Sequence, residues 1–163
     1  MKLLRVGNPG NETPATLDNF GNIRDLSSHI KDLNPETINF NTLEKLKKIN
    51  LKNLPQVPKS TRIGPCINKP KKFIGIGLNF SDHAAEIGAQ IPKEPIIFMK
   101  ATSCISGPND DIVIPKNSKK CDWEVEIAFV VGKEAKNITE LESENHIFGY
   151  CLVNDVSERE WQL

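Results

Sequence analysis

Asp122-Trp123-Glu124-Val125-Glu126-Ile127 alternates acidic with large apolar side chains. Successive side chains on a β-strand point to opposite faces, so as a strand this stretch sets Asp122, Glu124 and Glu126 on one face. Trp123, Val125, Ile127 and Phe129 then line the other. Neighbouring same-face carboxylates lie about 7 Å apart, given a rise of about 3.3 Å per residue. They repel one another unless positive charge lies between them, and a hard divalent cation such as Mg²⁺ or Mn²⁺ takes oxygen ligands of this kind. The spacing alone equally describes a strand with one solvated polar face. A further acid tips the reading toward a metal centre. Asp155 follows the apolar run Ile147-Phe148-Gly149-Tyr150-Cys151-Leu152-Val153, which reads as a buried strand with Asn154-Asp155 at its end.

A chain of 163 residues can bury one core with a small extra subdomain. Charge is balanced at 21 Lys+Arg against 21 Asp+Glu, which gives no electrostatic reason to expect nucleic acid or membrane as a partner. The basic clusters Lys45-Leu46-Lys47-Lys48 and Lys69-Pro70-Lys71-Lys72 lack interleaved aromatics and read as solvated faces. No segment is long and apolar enough to span a bilayer, and Met1-Lys2-Leu3-Leu4-Arg5-Val6-Gly7-Asn8 is too polar for a secretory signal, so a cytoplasmic location is expected. Cys66, Cys104, Cys121 and Cys151 include no C-x-x-C pair. They are expected to be reduced packing residues rather than zinc ligands or a disulfide scaffold.

Two regions and a linker are expected. Residues 1–58 read as a small α+β subdomain. It comprises a strand over Leu3 to Val6, a hairpin joining Thr16-Leu17 to Ile23-Arg24-Asp25-Leu26 through Asp18-Asn19-Phe20-Gly21-Asn22, and a helix capped by Asn41 or Thr42 with Leu43, Leu46 and Ile49 on one face. Pro58, Gly64, Pro65 and Pro70 mark residues 59–71 as linker. Residues 72–163 open with Phe73 to Leu78, which reads as a buried strand. Asn79 or Ser81 then caps a helix bearing His83 and Glu86 three residues apart. A carboxylate beside an imidazole stabilises its protonated form, as a general base drawing a proton from water requires; an ordinary surface helix pair has the same spacing. Gly75-x-Gly77 lacks the third glycine of a dinucleotide fingerprint, so a nicotinamide site is rejected. Pro95-Ile96-Ile97-Phe98-Met99-Lys100 reads as a second apolar strand, whose terminal Lys100 either snorkels to solvent or holds a substrate carboxylate. Gly107 to Asp111 is expected as a turn, Ile112 to Pro115 as a short strand, and Thr139 to His146 as a helix with a Thr139/Glu142 capping box.

Three ordered motifs resemble the fumarylacetoacetate hydrolase family: Gly77-Leu78-Asn79-Phe80-Ser81-Asp82-His83-Ala84-Ala85-Glu86, the strand Asp122 to Glu126, and Gly149-Tyr150 through Asn154-Asp155-Val156-Ser157-Glu158-Arg159-Glu160-Trp161-Gln162. Met1-Lys2-Leu3-Leu4-Arg5 with Ile23-Arg24-Asp25-Leu26-Ser27 looks like the subgroup labelled ureidoglycolate lyase or 2,4-diketo-3-deoxy-sugar-acid hydrolase. The resemblance implies an α+β fold, a mixed β-roll or sandwich of that family's C-terminal-domain type, with the small N-terminal subdomain packed on it. It implies Mg²⁺ or Mn²⁺ held by Glu124, Glu126 and Asp155, and water activated by His83 with Glu86. It also implies substrate contacts from Arg159 and Gln162. Asp122 is left over, and reads as bonding to a ligand from behind or closing the strand. The reaction implied is cleavage of a C–C or C–N bond in a small 2-oxo or 1,3-dioxo acid, by a homodimer. Members of the family continue beyond the Arg-x-x-Gln segment with a Gly-Lys segment and further strands, whereas this sequence ends at Leu163. The expectation is therefore a domain incomplete at its C-terminus, with apolar faces uncovered around Ile127, Phe129 and Val131. Two other readings stay open: an inactive metal-binding remnant or half of a split enzyme, and an interaction module whose acidic strand only solvates an edge.

Overall fold

The computed structural model describes residues 1–162. β1 (Lys2–Val6) and β2 (Thr13–Leu17) pair antiparallel along their whole length, Lys2 opposite Leu17 and Val6 opposite Thr13. β3 (Ile23–Asp25) and the short β4 (Gln56–Val57) complete an antiparallel sheet of order β1-β2-β3-β4. Asp18 shapes the β2–β3 turn. Its carboxylate accepts the N–H groups of Phe20 and Asn22 and the Arg24 guanidinium; burial pushes its pKa up, but these donors outweigh burial and hold it down at about 2.

Both faces of this sheet are covered. Leu4, Val6, Ala15 and Ile23 form one buried cluster, with Leu17, Val57 and Ile63 packed on it. On the opposite face Leu26, Leu46 and Leu54 are buried, with Leu3 against them. Leu46 belongs to α1 (Phe40–Lys47), which starts two or three residues earlier than expected. Asn39 is the cap and accepts the N–H of Thr42, one of the residues expected to do the capping.

Arg5, on β1, is buried with a charge to satisfy. Its Nε donates to Asp32 Oδ1 at 2.6 Å and its Nη2 to Asp32 Oδ2 at 3.2 Å and Glu12 Oε2 at 3.3 Å. The other oxygen of Glu12 accepts from Arg62, which also forks onto Asp110 at 2.6 and 2.5 Å. Asn68 completes the shell of Asp32 at 2.7 Å. The segment expected as a linker is thus bound to the first sheet through Arg62 and Asn68, and Asp110 holds a charge as well as shaping its turn.

From residue 72 onward the chain forms antiparallel pairs and short helices. β5 (Ile74–Gly77) pairs with β6 (Ile96–Met99), and between them lies α2 (Ser81–Glu86). Its N-cap is Phe80, without a side-chain cap, so neither Asn79 nor Ser81 takes that role. A side chain at Gly75 would collide with the Phe98 ring, which explains that glycine as cross-strand packing. β7 (Cys121–Asp122) pairs with β10 (Ser157–Glu158), and β8 (Val125–Val131) with β9 (Ile147–Asn154). α3 (Glu140–Ser143) has the expected Thr139/Glu142 capping box.

The single strand expected from Asp122 onward is broken at Trp123-Glu124, because the chain changes partner there, from β10 to β9. Ile112 to Pro115 is irregular, exposed backbone rather than a strand. The strands read as buried are largely open among the described residues. Val125, Ile127, Phe129 and Val131 on β8 share an exposed face with Tyr150 and Leu152 on β9, while Ile74, Ile76 and Ile96 to Met99 are also exposed. Cys66 and Cys104 are exposed rather than packed.

Arg5→Met should destabilise the chain by about 3–5 kcal/mol, because it strands Asp32 without its cation and leaves Glu12 to Arg62 alone. Burial raises the pKa of both acids, but the Arg5 and Arg62 donors outweigh it and hold them below the ordinary carboxylate range. Their contribution is therefore present above that range and is lost as pH falls through the folded-state values. Urea unfolding should show the parent losing stability on acidification more steeply than the variant.

Candidate metal and catalytic site

The β8–β9 register brings the acids together. Glu126 lies opposite Val153 and Val125 opposite Asn154, so the start of β8 meets the end of β9. Beyond the last pair, Asp155 N–H donates to the Glu124 carbonyl at 2.9 Å and Glu124 N–H to Asn154 Oδ1 at 3.0 Å. Glu124 and Glu126 keep the same-face alternation despite the break in the strand, each half-buried between exposed apolar neighbours.

The electrostatics are those of crowded negative charge. Burial, then the charges of Glu124 and Asp155, push the Glu126 carboxyl above its ordinary value, partly offset by nearby His83. Asp155 instead accepts from the Lys100 ammonium, at the end of β6, which also donates to the Val156 carbonyl at 3.2 Å. Glu124 Oε1 lies 2.5 Å from Arg159 Nη2. The same guanidinium donates to Asp122 Oδ2 from Nε at 3.0 Å and from Nη2 at 2.8 Å, and to Gln162 Oε1 from Nη1 at 3.2 Å. Its bonds hold the Asp122 carboxyl below the ordinary range. Asp122, expected to bond to a ligand or to close the strand, pairs with Ser157 of β10 and shares Arg159 with Glu124.

His83 Nδ1 lies 3.7 Å from Glu86 Oε2, a loose contact between two exposed side chains on α2. An open depression of about 260 Å³ is lined by Lys100, Val156, Ser157, Glu158, Trp161 and Gln162. Trp161 was assigned no role from sequence; it sits inside the Arg-x-x-Gln segment, and an aromatic there was the available signal. Among the described residues, no three His, Cys, Asp or Glu side chains stand close enough to hold a metal ion as they are placed. The donor chemistry nevertheless suits a hard divalent cation: three carboxylates at one strand junction, one of them strained by its neighbours' charge. Glu124 is turned onto Arg159 and Asp155 onto Lys100.

The family model described as fumarylacetoacetate (FAA) hydrolase C-terminal matches residues 72–163. A curated protein of Burkholderia cenocepacia, named provisionally as a hydrolase, is 53% identical over 163 residues, covering all of this chain and 58% of its own length. A similarly named protein of Burkholderia multivorans is 52% identical over the same share. The chain thus spans 58% of the length of these curated relatives. Among solved structures, the fumarylacetoacetate hydrolase of Exiguobacterium antarcticum superposes with a TM-score of 0.78 at 25% identity, over 99% of this chain and 58% of that one. A maleylpyruvate hydrolase of Sphingobium, solved with manganese(II) and pyruvate, has the same fold at a TM-score of 0.77 and 22% identity, over 98% and 60%.

Glu126→Gln should raise the melting midpoint at neutral pH in the presence of a chelator. A carboxyl whose pKa is raised on folding destabilises the fold while ionised, and the penalty disappears as pH falls through the raised value. The gap between variant and parent should therefore close on acidification, as followed by thermal melts across pH.

Proposed function

This chain belongs to the fumarylacetoacetate hydrolase family, and on that premise we propose that it carries the metal- and substrate-holding part of a divalent-metal-dependent hydrolase or lyase. The substrate class is small 2-oxo or 1,3-dioxo acids. One observation carries the reading: the Asp155 N–H bond to the Glu124 carbonyl, which seats Asp155 beside Glu124 at the start of β8.

Glu124, Glu126 and Asp155 are the residues that would hold the cation. When bound, Mg²⁺ or Mn²⁺ supplies Lewis-acid stabilisation of the negative charge that develops as a bond next to a carbonyl breaks. His83, oriented by Glu86, takes a proton from the attacking water. Both are exposed and loosely paired, a geometry that substrate binding would tighten. Arg159 offers a guanidinium N–H to the substrate carboxylate, Gln162 adds an amide, and Lys100 places an ammonium on the wall of the depression that Gln162 also lines. The pyruvate and manganese(II) of the Sphingobium enzyme are of the ligand classes proposed here. No helix among the described residues is long and apolar enough to cross a membrane, and we place the protein in the cytoplasm as a homodimer. A metal-binding half that needs further polypeptide for turnover is a second reading, favoured by the open apolar face of β8 and β9.

Saturation with Mg²⁺ or Mn²⁺ at one hundred times the dissociation constant should stabilise the chain by about 2.7 kcal/mol, raising the midpoint by about 5–11 °C. Glu124→Gln should abolish that shift. His83→Ala should keep it while removing turnover of an acylpyruvate. A shift surviving both Glu124→Gln and Glu126→Gln would sink the ligand assignment, and turnover by residues 1–163 alone would exclude the second reading.

A further inference from the structure

Two cations hold two of the proposed ligands, and each is anchored on a different element. Lys100 follows β6, where its backbone N–H donates to the Phe73 carbonyl at 2.9 Å. Arg159 follows β10, where its N–H donates to the Lys120 carbonyl at 3.0 Å. The Lys100–Asp155 pair is well shielded, with side-chain exposures of 21% and 14%; the Arg159–Glu124 pair is more open, at 33% and 28%. Three carboxylates, Asp122, Glu124 and Asp155, touch these two cations, and a fourth, Glu126, lies close enough to feel the charges of Glu124 and Asp155. With all of them ionised, the surplus is two negative charges, which is the charge of one divalent cation.

From this geometry we infer that Lys100 and Arg159 are counter-ions of the metal-free site, competing with the metal for Asp155 and Glu124. The inference rests on the metal reading above and adds a function to residues there assigned to substrate. Without metal, the two cations offset the repulsion that Glu126 alone still feels. With metal bound, Asp155 and Glu124 turn to it, and the Lys100 ammonium and an Arg159 N–H are released toward the depression they line or border. A substrate carboxylate then meets cations that the metal has freed, so the carboxylate grip is coupled to metal loading. Lys100 and Arg159 are positioning residues in this role, because they act through the ligands.

The test is the affinity of Mn²⁺ alone, measured by calorimetry and by the electron paramagnetic resonance of free Mn²⁺, on the parent chain, Lys100→Met and Arg159→Gln. Lys47→Met, which removes an exposed pair with Glu44 on α1, is the control. Each of the first two variants should bind Mn²⁺ about tenfold tighter than the parent, since a competing positive charge is gone. Each should also melt lower than the parent in chelator, while the control matches the parent in affinity. Equal or weaker Mn²⁺ binding by Lys100→Met and Arg159→Gln, with a parent that does bind, would overturn the counter-ion role and leave the metal reading standing. A parent that binds no Mn²⁺ would remove both. The two variants lie on separate elements, so either one alone decides the matter if the other fails to fold.

Discussion

Arg5 is a charge that cannot reach water, and its neighbours are arranged around that constraint. A buried guanidinium has to be met by carboxylates with good geometry, and here Asp32 and Glu12 come to it from different loops. Glu12 passes the requirement on to Arg62, and Arg62 to Asp110. The chain of alternating charges runs from the first strand through residue 62 to the turn after Gly107. Hydrophobic burial supplies the core on both faces of the first sheet, but this network fixes where the following chain leaves it.

The same chemistry governs the acidic junction of β8 and β9 with a different outcome. Around Arg5 each of three acids, Asp32, Glu12 and Asp110, is paired with a guanidinium, whereas Glu126 feels mainly the charges of other acids and remains half-open. The first arrangement suits a fixed joint. The second leaves unsatisfied negative charge at a place where two strands diverge, beside an open depression bordered by an ammonium and an amide. Sites that bind cations are commonly of this unbalanced kind, because the ligand completes the charge that the protein leaves unmet.

Local patterns were legible wherever the determining contacts lie within a few residues. The Asp18 to Asn22 turn, the Thr139/Glu142 capping box and the alternation of Glu124 with Glu126 all depend on short-range geometry and appear as expected. The architecture is mixed α+β and mostly sheet, matching the solved relatives. What sequence could not reveal depends on distant partners. Nothing between Asp122 and Ile127 signals a break, because the break arises where Asp122 meets Ser157 and Val125 meets Asn154. Nothing at Lys100 or Arg159 says that each would lie on a proposed ligand, since those pairings are set by the packing of the β5–β6 hairpin and of the segment after β10. The Asn39 cap was missed because Asn39, Asn41 and Thr42 are all competent acceptors, and the tertiary position of Leu46 selects among them.

The placement of the core has a consequence for synthesis. Apart from Ala84, the buried apolar residues, Leu4 through Leu54, lie in the first third of the chain and are joined by antiparallel pairings between near neighbours in sequence. Such local contacts form early and quickly. A nascent polypeptide emerging from the ribosome therefore holds the material for a folded unit by the time Val57 is clear. The later strand pairs emerge as apolar ribbons whose open faces stay uncovered among the described residues, so they are the part of the chain exposed to association with other chains.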